Sequence, residues 1–86
     1  MGEVPRPPRD ADLLQQFGDR LRSLRAEAQI SQERLSELAG LHRTYIGHIE
    51  RGAVAPTIQT VVRLAEALGR DPGELVARLH SGAAEA

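Results

Sequence analysis

The 86-residue sequence has no cysteine, no tryptophan and no lysine. The lack of cysteine excludes a disulfide framework, a thiol nucleophile and any thiolate metal site. Aromatic residues are limited to Phe17 and Tyr45, so a core has to be built from Leu, Ile, Val and Ala. No apolar run approaches the roughly 18 residues of a membrane span. The N-terminal stretch MGEVPRPPR is rich in Pro and Arg where a secretory signal would be apolar. A cytoplasmic location and no membrane partner are therefore expected. Catalytic signatures are also missing: there is no HExxH, no Gly-rich phosphate loop and no nucleophile motif. His42 and His48 stand six apart and fall on different faces of a helix, which makes them poor joint metal ligands. The expectation is a protein that is not an enzyme and has no metal, no cofactor and no evident small-molecule ligand. Net charge is −1, so any polyanionic partner has to be met by the local arrangement of arginines rather than by their sum.

What the sequence does have is a well-punctuated central stretch, SQERLSELAGLHRTYIGHIER, from Ser31 to Arg51. It reads as two short helices joined by a tight turn at Ala39-Gly40-Leu41. Ser31 can cap the first helix through its hydroxyl, and Glu33 lies in the first turn, where the helix dipole favours an acid. Leu35, Leu38 and Ala39 follow at helical spacing as an apolar stripe. Gly40 can end the helix in a left-handed conformation. In the second helix Ile46 and Ile49, with Leu41 from the turn, mark the side to be buried. Thr44, Gly47, His48 and Arg51 fall at i, i+3, i+4 and i+7 on an opposite stripe flanked by Arg43. That stripe carries hydrogen-bonding groups, one small gap and almost no acid, and suits a polar partner.

These residues resemble the helix-turn-helix of the λ-repressor-like, Xre/Cro family of DNA-binding proteins. The resemblance rests on Gln32, Leu35, Ser36, Ala39, Gly40, Leu41, Ile46, Ile49 and Glu50-Arg51-Gly52, and extends to LRSLRAEAQIS before them and TIQTVVRLAEALG after them. It covers roughly residues 13–79 and implies an all-α, five-helix λ-repressor-like domain that binds double-stranded operator DNA. It also implies an ion pair between Arg25 and Glu50 that holds the recognition helix, a Gln32 that bonds phosphate and props that helix, and a Tyr45 hydroxyl on the DNA backbone; the Tyr45 ring can at the same time be half-buried. Relatives usually have Ser, Thr or Asp where His42 stands. His42 is therefore expected to cap weakly and to reach a phosphate instead.

The recognition helix, at about residues 42–51, is expected to read bases with Arg43, Thr44, Gly47 and His48. Arg43 can donate twice to guanine, and Thr44 offers a methyl group and a hydroxyl. His48 can donate to guanine or phosphate, and Gly47 either permits close approach or is simply a tolerated exposed glycine. Phosphate contacts are expected at the helix starts, Ser31-Gln32 and Thr57-Ile58, and from Arg51, alongside His42 and Tyr45.

Residues 1–10 are expected to form a disordered arm, 11–80 the DNA-binding domain and 81–86 a frayed tail. Arg6 and Arg9 either follow a DNA groove or are solvated. A first helix is expected over Ala11 to Ala28, capped by Asp10 or Asp12, with Leu14, Phe17, Leu21 and Leu24 buried and Gly18 letting another helix approach. A fourth helix is expected over Ile58 to Leu68, capped by Thr57, with Ile58, Val61, Val62, Ala65 and Leu68 inward. Asp71-Pro72-Gly73-Glu74 starts a fifth, with Leu75, Val76 and Leu79. Leu64, Leu68, Leu75, Val76 and Leu79 exceed what one small core needs, and some are expected to line a homodimer interface, although the fifth helix could instead close the monomer. The expected function is a small transcriptional regulator, a repressor or autoregulator on a palindromic operator. The alternative is an antitoxin or other protein-binding helical module in which DNA binding is secondary.

Overall fold

Ser31, Thr57 and Asp71 each cap the helix that follows. In the computed structural model, which describes residues 8–81, the Ser31 hydroxyl accepts from the Arg34 N–H at 3.0 Å and the Thr57 hydroxyl from the Thr60 N–H at 3.1 Å. Asp71 and Glu74 form a reciprocal capping box with Pro72 at the first helical position. The described residues form five helices and no strand: α1 (Pro8–Ala28), α2 (Gln32–Ala39), α3 (Arg43–Glu50), α4 (Ile58–Leu68) and α5 (Pro72–Val76).

The buried face of α1 is Leu14, Phe17, Leu21 and Leu24, as its spacing predicts. Leu35 and Ala39 of α2, Ile46 and Ile49 of α3, Val61, Leu64 and Ala65 of α4, and Leu75 of α5 close the core around it. Each fully buried Leu or Ile contributes about 1.5–3 kcal/mol of transfer free energy. The fold is thus held by branched aliphatics, with Phe17 the sole buried aromatic among the described residues.

Several boundaries and faces differ from expectation. Helix α1 begins at Pro8, so Asp10 and Asp12 lie inside it and neither is its cap. A proline without an N–H is well suited to the first helical position, which extends the helix into the stretch read as an arm. Residues 1–7 and 82–86 lie outside the described ones. Leu38 is exposed, while the small Ser36 is buried, its hydroxyl donating to the Glu33 carbonyl at 2.7 Å. In α4 the inward positions include Thr60 rather than Ile58 or Val62, which face outward. The Thr60 hydroxyl is satisfied in its buried place by the Thr57 hydroxyl, 3.1 Å away.

Helix α5 stops at Val76, short of Leu79, because Ala77 is extended and Arg78 takes φ of 63°. Two side chains of α1 hold this end of the chain. Arg20 donates to the Glu74 carbonyl at 2.6 Å and the Ala77 carbonyl at 3.0 Å, which answers the unsatisfied C-terminal carbonyls of a short helix. Gln16 exchanges two hydrogen bonds with the His80 backbone, at 3.0 and 3.3 Å.

Candidate nucleic-acid interface

The helix-turn-helix is α2, a turn through Gly40, and α3. Gly40 has φ of 69° with open space where a Cβ would lie, so the left-handed backbone is the reason glycine is suited here. His42 then caps α3: its Nδ1 accepts from the Thr44 N–H at 3.2 Å. This corrects the expectation that His42 caps weakly. Accepting through Nδ1 requires a neutral ring with its proton on Nε2, which leaves Nε2–H as an outward donor.

One face of α1 is devoted to the C-terminal end of α3. Gln15, Gly18, Arg22 and Arg25 recur at helical spacing, and all four meet residues 49–52. A Cβ on Gly18 would lie 2.5 Å from the Glu50 carbonyl oxygen and 2.6 Å from that of Ile49. Gly52, with φ of 72°, sits against the backbone of Gln15, where a Cβ would be 3.1 Å from Cα and N. Two glycines, one on each partner, therefore let α1 and the end of α3 touch backbone to backbone. Arg22 donates to the Glu50 carbonyl at 3.2 Å.

Arg25 and Glu50 meet as a two-point pair, Nε to Oε2 at 2.7 Å and Nη2 to Oε1 at 3.1 Å. The remaining Arg25 nitrogen donates to the Ile30 carbonyl at 3.0 Å. Gln32 gives one amide N–H to Glu50 Oε1 at 2.9 Å, which ties the start of α2 to the end of α3. The Glu50 side chain is 1% exposed. Burial alone would push its carboxyl up; hydrogen bonds from Arg25 and Gln32 and the charges of Arg25 and Arg22 outweigh burial and hold it below the usual carboxylate range. The Glu50 hydrogen bond raises Arg25 in turn. Among the described residues no buried side-chain polar atom lacks a hydrogen-bond partner. The contributions of Gln15 and Arg22 were missed from the sequence, although their spacing from Gly18 and Arg25 carries the signal.

The opposite side of α3 faces solvent. Arg43 and Thr44 are exposed at its start, and no hydrogen bond or ion pair engages the Arg43 side chain among the described residues. Arg51 is exposed and His48 half-buried, and Arg51 Nη2 lies 3.0 Å from His48 Nδ1. Gly47 is not an exposed glycine: it is buried, with the Arg51 guanidinium across the place a Cβ would take, Nη1 being 3.1 Å from it. Tyr45 is half-buried and packs on the core. Ser31 and Thr57 are exposed, their hydroxyls spent on the caps of α2 and α4. No group of three or more His, Asp or Glu among the described residues is placed to hold a metal, and no helix of the described residues is long and apolar enough to cross a membrane.

Residues 16–79 match the model of a family described as a helix-turn-helix domain. The chain is 40% identical over 67 residues to control protein C.SmaI of Serratia marcescens, covering 78% of this chain and 80% of that one. It is 38% identical over 61 residues to control protein C.BamHI of Bacillus amyloliquefaciens, covering 70% and 75%. Among solved structures it is similar to the restriction-modification controller protein C.AhdI of Aeromonas hydrophila, at 45% identity and a TM-score of 0.71, covering 72% of this chain and 94% of that one. These relatives are regulators, not enzymes. With the helix-turn-helix, its capped turn and its buried Arg25–Glu50 brace in place, the chain belongs to the λ-repressor-like Xre/Cro family of helix-turn-helix, DNA-binding transcriptional regulators.

Proposed function

We propose that the chain acts in the cytoplasm as a homodimer on a palindromic operator, each copy laying α3 in the major groove of one half-site, and that it represses transcription, that of its own gene included. The observation that carries this reading is the outward side of α3: Arg43, Thr44, His48 and Arg51 without an acid among them, and an Arg43 guanidinium with no acceptor among the described residues. A desolvated guanidinium needs acceptors, and the guanine edge supplies two in the geometry it prefers. Thr44 adds a methyl group and a hydroxyl one residue on. Gly47 contributes by leaving room on this face rather than by touching a base. Phosphates would be held by backbone N–H groups at the starts of α2 and α4, behind the Ser31 and Thr57 caps. The second amide hydrogen of Gln32, His42 Nε2–H and the Tyr45 hydroxyl are further donors along the same side.

The expected interface needs revision. Leu64 and Leu75 are 0% exposed within the single chain, so the core uses them and they are not free to meet a second copy. Leu68 and Leu79 are half-buried against that core. The large apolar side chains left exposed among the described residues are Leu38 of α2, 46% exposed, Ile58, 73%, and Val62, 37%, one turn apart on α4, and Val76 of α5, 45%. Of these, Ile58, Val62 and Val76, on the adjoining helices α4 and α5, are the dimer surface we favour. Ile58→Asp is expected to yield a folded monomer by sedimentation, its melting temperature lowered only by the lost dimer contact and no longer dependent on protein concentration. Leu64→Ala, by contrast, should cost about 2–5 kcal/mol of stability. A dimer that survives Ile58→Asp and Val62→Asp together would place the interface elsewhere.

Selection of bound duplexes from a random pool tests the whole reading. The expected product is an inverted repeat with half-site centres about 34–36 Å apart, the spacing of λ-type dimers. Arg43→Ala should lose about 1–3 kcal/mol of discrimination at one guanine in each half-site, and affinity should fall steeply with salt. A single unrepeated motif would contradict the dimer, and no enrichment at all would contradict sequence-specific binding.

A further inference from the structure

We propose that His48 is a positioning residue rather than a base reader: it seats the Arg51 guanidinium over Gly47 and thereby preassembles a phosphate clamp at the end of α3. The proposal rests on the DNA-binding mode argued above and adds a role that the helical stripe alone does not suggest. A guanidinium has only donors. The 3.0 Å contact between Arg51 Nη2 and His48 Nδ1 therefore fixes Nδ1 as the acceptor and puts the ring proton on Nε2. Residues three apart on a helix are neighbours, so the contact needs no distortion of α3.

Gly47 is the floor of the arrangement. The guanidinium lies against the place a Cβ would take, with Nη1 at 3.1 Å, Nη2 at 3.7 Å and Cζ at 3.8 Å from it, and Gly47 is buried. A long side chain that would otherwise explore many rotamers is held in one place before any ligand arrives, which lowers the ordering cost of binding.

The assembled unit presents donors only: the remaining guanidinium N–H groups and His48 Nε2–H. Its target must therefore accept without donating, as a phosphate oxygen or the guanine edge does. Position favours phosphate. Arg51 follows the last residue of α3, about 12 Å along the axis from Arg43 at 1.5 Å per residue. In helix-turn-helix docking it is the N-terminal residues of the recognition helix that reach base edges.

The test uses the full chain and a duplex that it selects, with single phosphates replaced in turn by neutral methylphosphonates. In the wild type, one phosphate per half-site should be costly to neutralise. His48→Ala and Gly47→Ala should each weaken binding to the unmodified duplex by roughly fivefold, the worth of about one net hydrogen bond. Each should also abolish the cost at that same phosphate, leave base preference unchanged and leave the melting temperature unchanged or raised. Helix propensity favours alanine over glycine at position 47, so lost binding there cannot be put down to a weakened helix. His48→Gln, whose side-chain oxygen can accept from Arg51, should restore both the affinity and the phosphate sensitivity. If His48→Ala instead alters preference at one base pair, His48 is a base reader and the proposal fails. It also fails if the variants keep the phosphate sensitivity of the wild type. A wild type that binds no duplex overturns the DNA-binding mode itself, and is told apart by that.

Discussion

Gly18→Ala is expected to cost about 1–3 kcal/mol of stability, with a further loss of DNA binding larger than the stability loss explains. The added methyl would stand 2.5 Å from the Glu50 carbonyl oxygen and 2.6 Å from that of Ile49. Both are backbone atoms at the end of a helix, so no rotamer change can relieve the overlap. Either α1 or α3 has to move. Alanine is the better helix former by roughly 1 kcal/mol, so a loss of stability here would be a direct measure of the helix–helix clash. If α3 moves, the outward ridge from Arg43 to Arg51 changes its angle to the rest of the molecule, and affinity falls even in molecules that remain folded. Chemical denaturation and a binding titration on the same sample separate the two effects. A variant as stable as the wild type and equally tight on DNA would show that the close contact between α1 and α3 does not set the angle of the recognition helix.

Arg25→Ala should be the more damaging change to stability: Glu50 is 1% and Arg25 18% exposed, so the loss should approach, without exceeding, the roughly 3–5 kcal/mol of a fully buried pair, in a domain whose total is on the order of 5–10 kcal/mol. It leaves a carboxylate 1% exposed with only the Gln32 amide at 2.9 Å and the Arg22 Nε at 3.8 Å for compensation. Glu50→Gln should be milder, because the amide oxygen can still accept from Arg25. The effect depends on pH, and its sign follows from the direction of the shift. The Glu50 carboxyl titrates below its ordinary 4.5 in the folded protein, so its contribution is fully present above that value and is lost as pH falls through the lowered one. In Arg25→Ala, burial dominates and the carboxyl takes up a proton more readily. The stability gap between wild type and variant should therefore be widest near neutral pH and close as the solution is acidified. A gap independent of pH between 7 and 3 would mean that Arg25 contributes packing rather than charge.

The parts of this fold that were legible in the sequence are those decided by neighbouring residues. Ser31, Thr57 and Asp71 announce helix starts because a side-chain oxygen at that place has unpaired N–H groups within reach. Gly40 announces a helix end because few other residues take its backbone angles. The four apolar positions of α1 repeat at helical spacing and face the core. What misled was any choice between two acceptable faces. Helix α4 has apolar residues on both sides of its core stripe, and only the packed neighbours decide that Thr60 turns in while Ile58 and Val62 turn out. In α2 the small Ser36, not Leu38, lies inward, a choice of packing geometry rather than of hydrophobicity.

The candidate site divides in the same way. The pairing of Arg25 with Glu50 was expected from family resemblance, not from spacing, since the two are 25 residues apart. The cap by His42 was missed because a ring nitrogen reaching two residues on is an uncommon cap. Gly47 looked like a gap in the exposed stripe. It is a gap, but one that Arg51 of the same helix turn fills, which no reading of separate residues would show.

DNA should meet the outward side of α3. The most direct measurement is an amide and side-chain chemical-shift map of the isotope-labelled protein titrated with a duplex that it selects. The largest changes should fall on Arg43, Thr44, His48 and Arg51 and on the amides at the starts of α2 and α4, with the core residues Leu21, Leu64 and Leu75 nearly still. Changes concentrated on α5 or on the exposed face of α1, with Arg43 and Thr44 undisturbed, would contradict this placement.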